Sequence, residues 1–180
     1  MSPAVSRAYI GLGANLGDRV ATLAEALARL DAEPGVRVVA VSSVYESEPW
    51  GVIEQPAFAN AAAALDTSYR AHELLALLKR IEGAAGRVAG ARNGPRVLDL
   101  DLLTYGGTVS HDPVLILPHP RLRERDFVVT PLLEIAPEIR LPDGAPFDRH
   151  AAIEGRVTGV LAAAPWFPPH DGRAAAQPPA

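Results

Sequence analysis

Val36-Arg37-Val38-Val39-Ala40-Val41-Ser42-Ser43-Val44-Tyr45 is rich in β-branched residues and reads as a strand, and the element after it decides the fold. Pro49-Trp50-Gly51 turns the chain, and Phe58 to Leu65 makes the next strand, although its alanines weaken the signal. A β-β step of this kind is not the second parallel unit of a dinucleotide-binding fold. Upstream, Tyr9 to Leu12 is short, apolar and followed by glycines, as a buried first strand would be. Asp18 then precedes Val20, Leu23, Ala24, Leu27 and Leu30 at helical spacing, and Pro34-Gly35 ends that helix. Downstream, His72 to Ile81 carries Leu74, Leu75, Leu77, Leu78 and Ile81 as an amphipathic helix. Gly83 to Pro95 is a glycine- and arginine-rich loop, and Val97 to Tyr105 is a strand closed by Gly106-Gly107.

The order β-α-β-β-α-β predicts an α+β fold, a ferredoxin-like α/β sandwich with helices packed on an antiparallel sheet. Pro118 to Pro137 adds a polar stretch and then an apolar helical one through Phe127, Val128, Leu132, Leu133 and Ile135, a C-terminal helical addition. Residues 1–168 are expected to form a single domain, and the proline- and alanine-rich residues 169–180 a disordered tail.

The chain has 180 residues, enough for one domain, and is 48% hydrophobic, enough for a core. A formal charge of −4 argues against a general nucleic-acid binder, which is normally basic overall. With no cysteine, disulfides and thiolate metal sites are excluded. The first eleven residues lack the apolar run of a signal peptide, and no stretch is long enough to span a bilayer. The expected location is cytoplasmic, with no membrane partner, and nothing demands more than a monomer.

The strongest chemical signal is Arg92-Asn93-Gly94-Pro95-Arg96-Val97-Leu98-Asp99-Leu100-Asp101-Leu102-Leu103. Side chains alternate along a strand, so Asp99 and Asp101 share one face while Leu98, Leu100 and Leu102 enter the core. Two residues of strand separate the carboxylates by roughly 7 Å, so they repel each other unless cations lie beside them. Hard oxygen ligands of this kind suit Mg²⁺, completed by water and substrate phosphates. A solvated strand edge is the bland alternative, but aspartate is disfavoured in strands, and a basic loop directly precedes this pair. That loop supplies Arg87, Arg92 and Arg96, whose guanidinium forks match phosphate oxygens. A second basic cluster follows at His119, Arg121, Arg123 and Arg125; His119 reaches a phosphate or caps a turn, and Phe127 taken alone reads as core. Gly11, Gly13 and Gly17 resemble a dinucleotide fingerprint, yet the third glycine falls one position late. They are read instead as permitting a tight turn and close helix packing.

Ala8-Tyr9-Ile10-Gly11-Leu12-Gly13-Ala14-Asn15-Leu16-Gly17-Asp18, Gly94 to Leu102 and Leu117-Pro118-His119-Pro120-Arg121 together resemble the 6-hydroxymethyl-7,8-dihydropterin pyrophosphokinase family. Their order and spacing agree from Ala8 to about Gly144. The resemblance implies ATP and 6-hydroxymethyl-7,8-dihydropterin as substrates, and AMP and the pterin pyrophosphate as products. It also implies two Mg²⁺ ions on Asp99 and Asp101. Phe58 and Asn60 match the family's pterin pocket, Phe127 matches the ring on the pterin's other side, and Ser47 and Trp50 fall in the segment bordering it. Glu82, Leu102, His119 and Arg125 match ATP-contacting positions, and Arg87, Arg92 and Arg96 match the basic residues of the catalytic loops. Asn93 stands where some members carry a tryptophan, and Pro120 where an aromatic often follows the histidine.

The implied chemistry is in-line attack of the pterin hydroxyl on the β-phosphorus, with Arg87 and Arg96 stabilising the departing AMP. Two other classes compete: a ligand-binding regulatory module without catalysis, and a metal-dependent phosphohydrolase. ATP consumption separates the first from an enzyme, and pterin-independent release of phosphate marks the second.

Overall fold

The computed structural model describes residues 4–49, 54–86, 96–144, 147 and 154–167. Its first strand, β1 (Ser6–Ala14), extends beyond the expected Tyr9 to Leu12 and takes in Gly11 and Gly13. Neither glycine makes the turn into α1 (Arg19–Ala32); Gly17 does, at φ 65°. Asp18 caps α1 by accepting the Ala21 N–H at 3.1 Å, and Leu23, Ala26, Leu27 and Leu30 form its buried face.

The single strand expected from Val36 to Tyr45 is in fact two, β2 (Val36–Val41) and β3 (Val44–Ser47). Both pair antiparallel with β4 (Phe58–Thr67). The break has a chemical cause that β-branched composition hides. Ser42 Oγ accepts the Ala62 N–H at 2.9 Å, standing in for a ladder carbonyl. Ser43 is held from the other side by Glu134, whose two carboxylate oxygens accept its N–H and its hydroxyl, each at 2.9 Å. Trp166, expected at the start of the proline-rich end segment, packs against the main core and donates its indole N–H to Ser42 O at 2.6 Å. The expected disordered tail, 169–180, lies outside the described residues.

α2 (Ala71–Ala84) buries Leu74, Leu77, Leu78 and Ile81, and β5 (Asp99–Tyr105) follows. Three further strands carry no clear sequence signal: the hairpin of β6 (Ser110–Asp112) with β7 (Leu115–Leu117), and a late strand β8 (Val157–Ala162). Before β8 comes the expected apolar helix, α3 (Asp126–Ile135). The main sheet runs β5-β1-β4-β3-β8, with β2 also on β4, and each of these pairings is antiparallel.

Helices α1 and α2 cover one face of the sheet. There Ile10, Leu12, Leu65, Leu100 and Leu102 pack with Leu23, Leu27, Leu74 and Leu78 in one buried cluster. The other face carries a smaller cluster in which Val128 and Leu132 of α3 join Ala62 and Leu103. Leu103 reaches that face by plain alternation from Asp99 and Asp101. The β1–β5 register shift between Tyr9 and Ile10 leaves it without a partner across the pair and resets the alternation beyond it, where Tyr105 packs with the helix-side cluster. The bulge leaves Asp99 and Asp101 upstream of it on the α3 side, where α3 does not fully cover the sheet.

Candidate active site

Across the sheet, Asp99 pairs with Gly13 and Gly13 with Asn60, while Asp101 pairs with Gly11. Directly paired residues share a face, so the two glycines form a floor without side chains between the aspartates and Asn60. A cavity of about 260 Å³ opens over that floor. Arg96, Asp99 and Asp101 line one side, Ser47, Phe58 and Asn60 another, and His119, Arg125, Phe127 and Val128 close it from the α3 end.

Each wall is held by its own contacts. Asn60 Nδ2 donates to the buried Ser47 hydroxyl at 2.7 Å, which fixes the orientation of its amide. Arg96 Nη1 lies 2.8 Å from Asp99 Oδ1, and Arg125 Nη1 lies 3.9 Å from Asp101 Oδ2. The Arg125 guanidinium also stands 5.6 Å from the Phe127 ring centroid, within cation–π range. Asn15, which no motif of the sequence singles out for a role, is a buried tie: its Oδ1 accepts the Arg96 N–H at 2.7 Å and its Nδ2 donates to Gln55 Oε1 and Pro56 O. It thereby holds together the two segments that enter the cavity.

The electrostatics are those of an acidic pair under strain. Burial pushes the Asp101 carboxyl above the usual carboxylate range, and the neighbouring Asp99 pushes it further, against Lys79, Arg125 and Arg96. Burial lowers His119 to about 4, helped by the charge of Arg125. Its Nδ1 accepts the Arg121 N–H at 3.2 Å, a bond that only the neutral ring can make.

Among the expected site residues, Ser47, Phe58, Asn60, Arg96, Asp99, Asp101, His119, Arg125 and Phe127 meet around this one cavity. Glu82 and Leu102 do not line it. Glu82 is buried and accepts the Leu100 N–H, and Leu102 packs in the core beneath the sheet. Trp50, Arg87 and Arg92 lie outside the described residues. Gly11 and Gly13 belong to the cavity, which corrects their reading as turn and helix-packing glycines.

Residues 9–137 match the model of the family described as 7,8-dihydro-6-hydroxymethylpterin-pyrophosphokinase (HPPK). The chain belongs to this family. The HPPK match contains every described cavity residue and extends through α3. Among its relatives, 2-amino-4-hydroxy-6-hydroxymethyldihydropteridine pyrophosphokinase of Methylorubrum extorquens is 51% identical over 135 residues, covering 75% of this chain and 85% of that one. The enzyme of the same name from Pseudomonas aeruginosa is 44% identical over 140 residues, covering 78% and 86%. Among solved structures, wild-type HPPK-DHPS of Plasmodium falciparum superposes with a TM-score of 0.60 at 14% identity. That superposition covers 82% of this chain but 44% of the other, so this chain spans less than half of that protein.

Proposed function

We propose that Asp99 and Asp101 hold two magnesium ions and that the glycine-floored cavity beside them takes the pterin of a pyrophosphoryl transfer. As an HPPK, the enzyme transfers pyrophosphate from ATP to the hydroxymethyl group of 6-hydroxymethyl-7,8-dihydropterin, yielding AMP and the pterin pyrophosphate in folate synthesis. The observation that carries the assignment of the site is the row Asp99–Gly13–Asn60, with acidic ligands at one end and a fixed amide at the other.

The donor set fits the metal. Among the described residues no cluster of three or more histidine and acidic side chains exists that could hold an ion, so two carboxylates would be completed by water and phosphate oxygens. Burial, and after it the charge of Asp99, holds the Asp101 carboxyl up, and a divalent cation would oppose both. Bound there, magnesium supplies charge neutralisation of the triphosphate and Lewis-acid polarisation of the reacting oxygens.

The protein's own groups do the rest. Arg96 and Arg125 bring positive charge to the phosphate side of the cavity, and Arg87 and Arg92 are assigned there with them. Phe58 and Phe127 flank a flat heterocycle, and Asn60, its orientation set by Ser47, reads an amide edge of the ring. The floor of Gly11 and Gly13 admits the ring close to the backbone, which shields the reacting oxygens from water. His119 is assigned to the nucleotide side and Trp50 to the pterin side. Glu82 and Leu102, which do not line the cavity, would serve the nucleotide through the β5 backbone that the first holds and the second belongs to.

The strand order β5-β1-β4 followed by β2 and β3, with α1 and α2 on one face, supports the ferredoxin-like reading of the fold. No helix among the described residues is long and apolar enough to cross a membrane, and the location we infer is the cytoplasm.

The test is a nucleotide-product assay with ATP, Mg²⁺ and hydroxymethyl-dihydropterin, run with a no-pterin control. AMP formed only with the pterin is expected from the wild type. Asp99→Asn and Asp101→Asn should each lose activity by about a thousandfold or more, the scale of losing a transition-state charge stabiliser. Near-normal turnover of either variant at saturating Mg²⁺ would remove the metal assignment.

A further inference from the structure

Phe127 does not hold its place in the cavity wall through its own helix alone. Gly155, beyond the residues matched by the family model, lies against its ring. A Cβ built on Gly155 would stand 2.2 Å from Phe127 Cδ1 and 2.6 Å from Cε1, so the ring occupies the space of the missing side chain. Gly155 also sits at φ 60°, in the left-handed region where glycine is favoured.

The segment around it is tied on both sides of the cavity. Glu154 N–H donates to Glu124 O at 3.0 Å and Asp126 N–H to Glu154 O at 2.8 Å, which laces the segment to the start of α3. Asp126 Oδ2 accepts the Val157 N–H at 2.8 Å, and the Arg121 guanidinium grips the Glu154 carboxylate. On the far side, Glu48 N–H donates to Arg156 O at 3.0 Å, and β8 continues against β3. Residues 154–157 therefore form a strap from the β3 edge of the cavity to the helix that carries Phe127.

The geometry points to Gly155 as a positioning residue for Phe127, and to the strap as the element that sets the width of the slot for the flat substrate ring. This rests on the reading of Phe127 as a wall of the pterin pocket. Gly155 itself touches Phe127, on the pterin side, whereas the strap's ties toward Arg125 and Arg121 run through Glu154. A defect confined to Gly155 therefore falls on the pterin.

The experiment is a double-mutant cycle of Gly155→Ala and Phe127→Ala, reading KM for each substrate, with Gly144→Ala as a control. Gly144 has φ 73° and nothing within 4 Å of where a Cβ would stand, so its variant isolates backbone strain. Gly155→Ala should raise KM for the pterin about tenfold, the scale of one lost aromatic contact, and leave KM for ATP nearly unchanged. In the Phe127→Ala background the same change should add nothing further. Equal increments in both backgrounds, or the same rise in Gly144→Ala, would overturn the proposal. Should Gly155→Ala fail to fold, recovery of folding by added Phe127→Ala upholds the coupling and no recovery overturns it. If Phe127→Ala alone leaves pterin KM untouched, the pocket reading fails. The crystal structure of Gly155→Ala then still decides the strap: a displaced Phe127 ring upholds it and an unmoved ring overturns it.

Discussion

Glu82 Oε1 accepts the backbone N–H of Leu100 at 2.6 Å, and Leu100 is the residue between the two aspartates. Lys79 completes the contact, its Nζ lying 2.9 Å from Glu82 Oε1 and 3.0 Å from Leu100 O. Both backbone groups of that residue are thus tied to α2, on the side of β5 away from β1. The carboxylates are presented by a strand whose edge is pinned rather than left to fray.

Removing the pin should be costly and specific. Glu82→Ala leaves the Leu100 N–H without this acceptor in a buried place, at a cost of about 2–4 kcal/mol. Urea denaturation should show that loss, and the Mg²⁺ concentration for half-maximal activity should rise severalfold. Glu82→Gln, which keeps an acceptor oxygen, should recover most of both. A Glu82→Ala protein with wild-type stability and metal dependence would show that β5 needs no such tie.

Glu134 makes a second clamp, at the kink between β2 and β3. Besides Ser43 it accepts the Tyr45 hydroxyl at 2.8 Å, so three donors converge on one carboxylate. Glu134→Ala should cost about 2–3 kcal/mol, as hydrogen bonds to a charged group usually do. Because β3 carries Ser47, KM for the pterin should rise as well. Finding stability lost but pterin KM unchanged would separate the kink from the pocket.

Which parts of the fold are legible in the sequence depends on which forces leave a local trace. The alternation of Leu98, Asp99, Leu100, Asp101 and Leu102 is a local pattern, and the structure keeps it. The kink at Ser42-Ser43 is not, because its cause is a carboxylate about ninety residues away in the chain. Gly11 and Gly13 mislead for a related reason. Glycines after an apolar run are ordinary turn signals, and only pairing with Asp101 and Asn60 makes them a floor. The strand β8 is short, contains Gly159 and is mostly exposed, so neither period nor hydrophobicity announces it. Phe127 taken alone reads as core from its helix. Only the family resemblance points it at the pocket, and the structure puts it among the residues that line the cavity, with Gly155 against its ring.

His119 gives a pH prediction with a definite sign. Its folded pKa of about 4 lies below the ordinary value of 6.5, so the unfolded chain takes up the proton first as pH falls. Stability from this group is complete above pH 6.5 and declines between 6.5 and about 4. The whole shift is worth about 3 kcal/mol by linkage. Urea denaturation at pH 7, 5.5 and 4.5 should therefore show His119→Gln losing less stability on acidification than the wild type. Parallel losses in the two proteins would mean that the ring is freely protonated in the folded state.

Gly13 and Ser47 act on one amide from opposite sides, and this makes their variants interdependent. A Cβ on Gly13 would meet Asn60 Oδ1 at 3.2 Å, closer than side chains normally approach, so the amide must shift. The amide is not free to do so, because its Nδ2 is bonded to Ser47 Oγ at 2.7 Å. Gly13→Ala should raise KM for the pterin about tenfold, as expected when a group that reads the substrate by hydrogen bonds is misplaced. Ser47→Ala should do the same by releasing the amide to rotate. The double variant should fall short of the product of the two effects, since both act through the same side chain. Steady-state KM measurements on the three variants and the wild type decide it. Multiplicative effects would show that Gly13 and Ser47 reach the substrate independently, and that Asn60 is not the group through which they act.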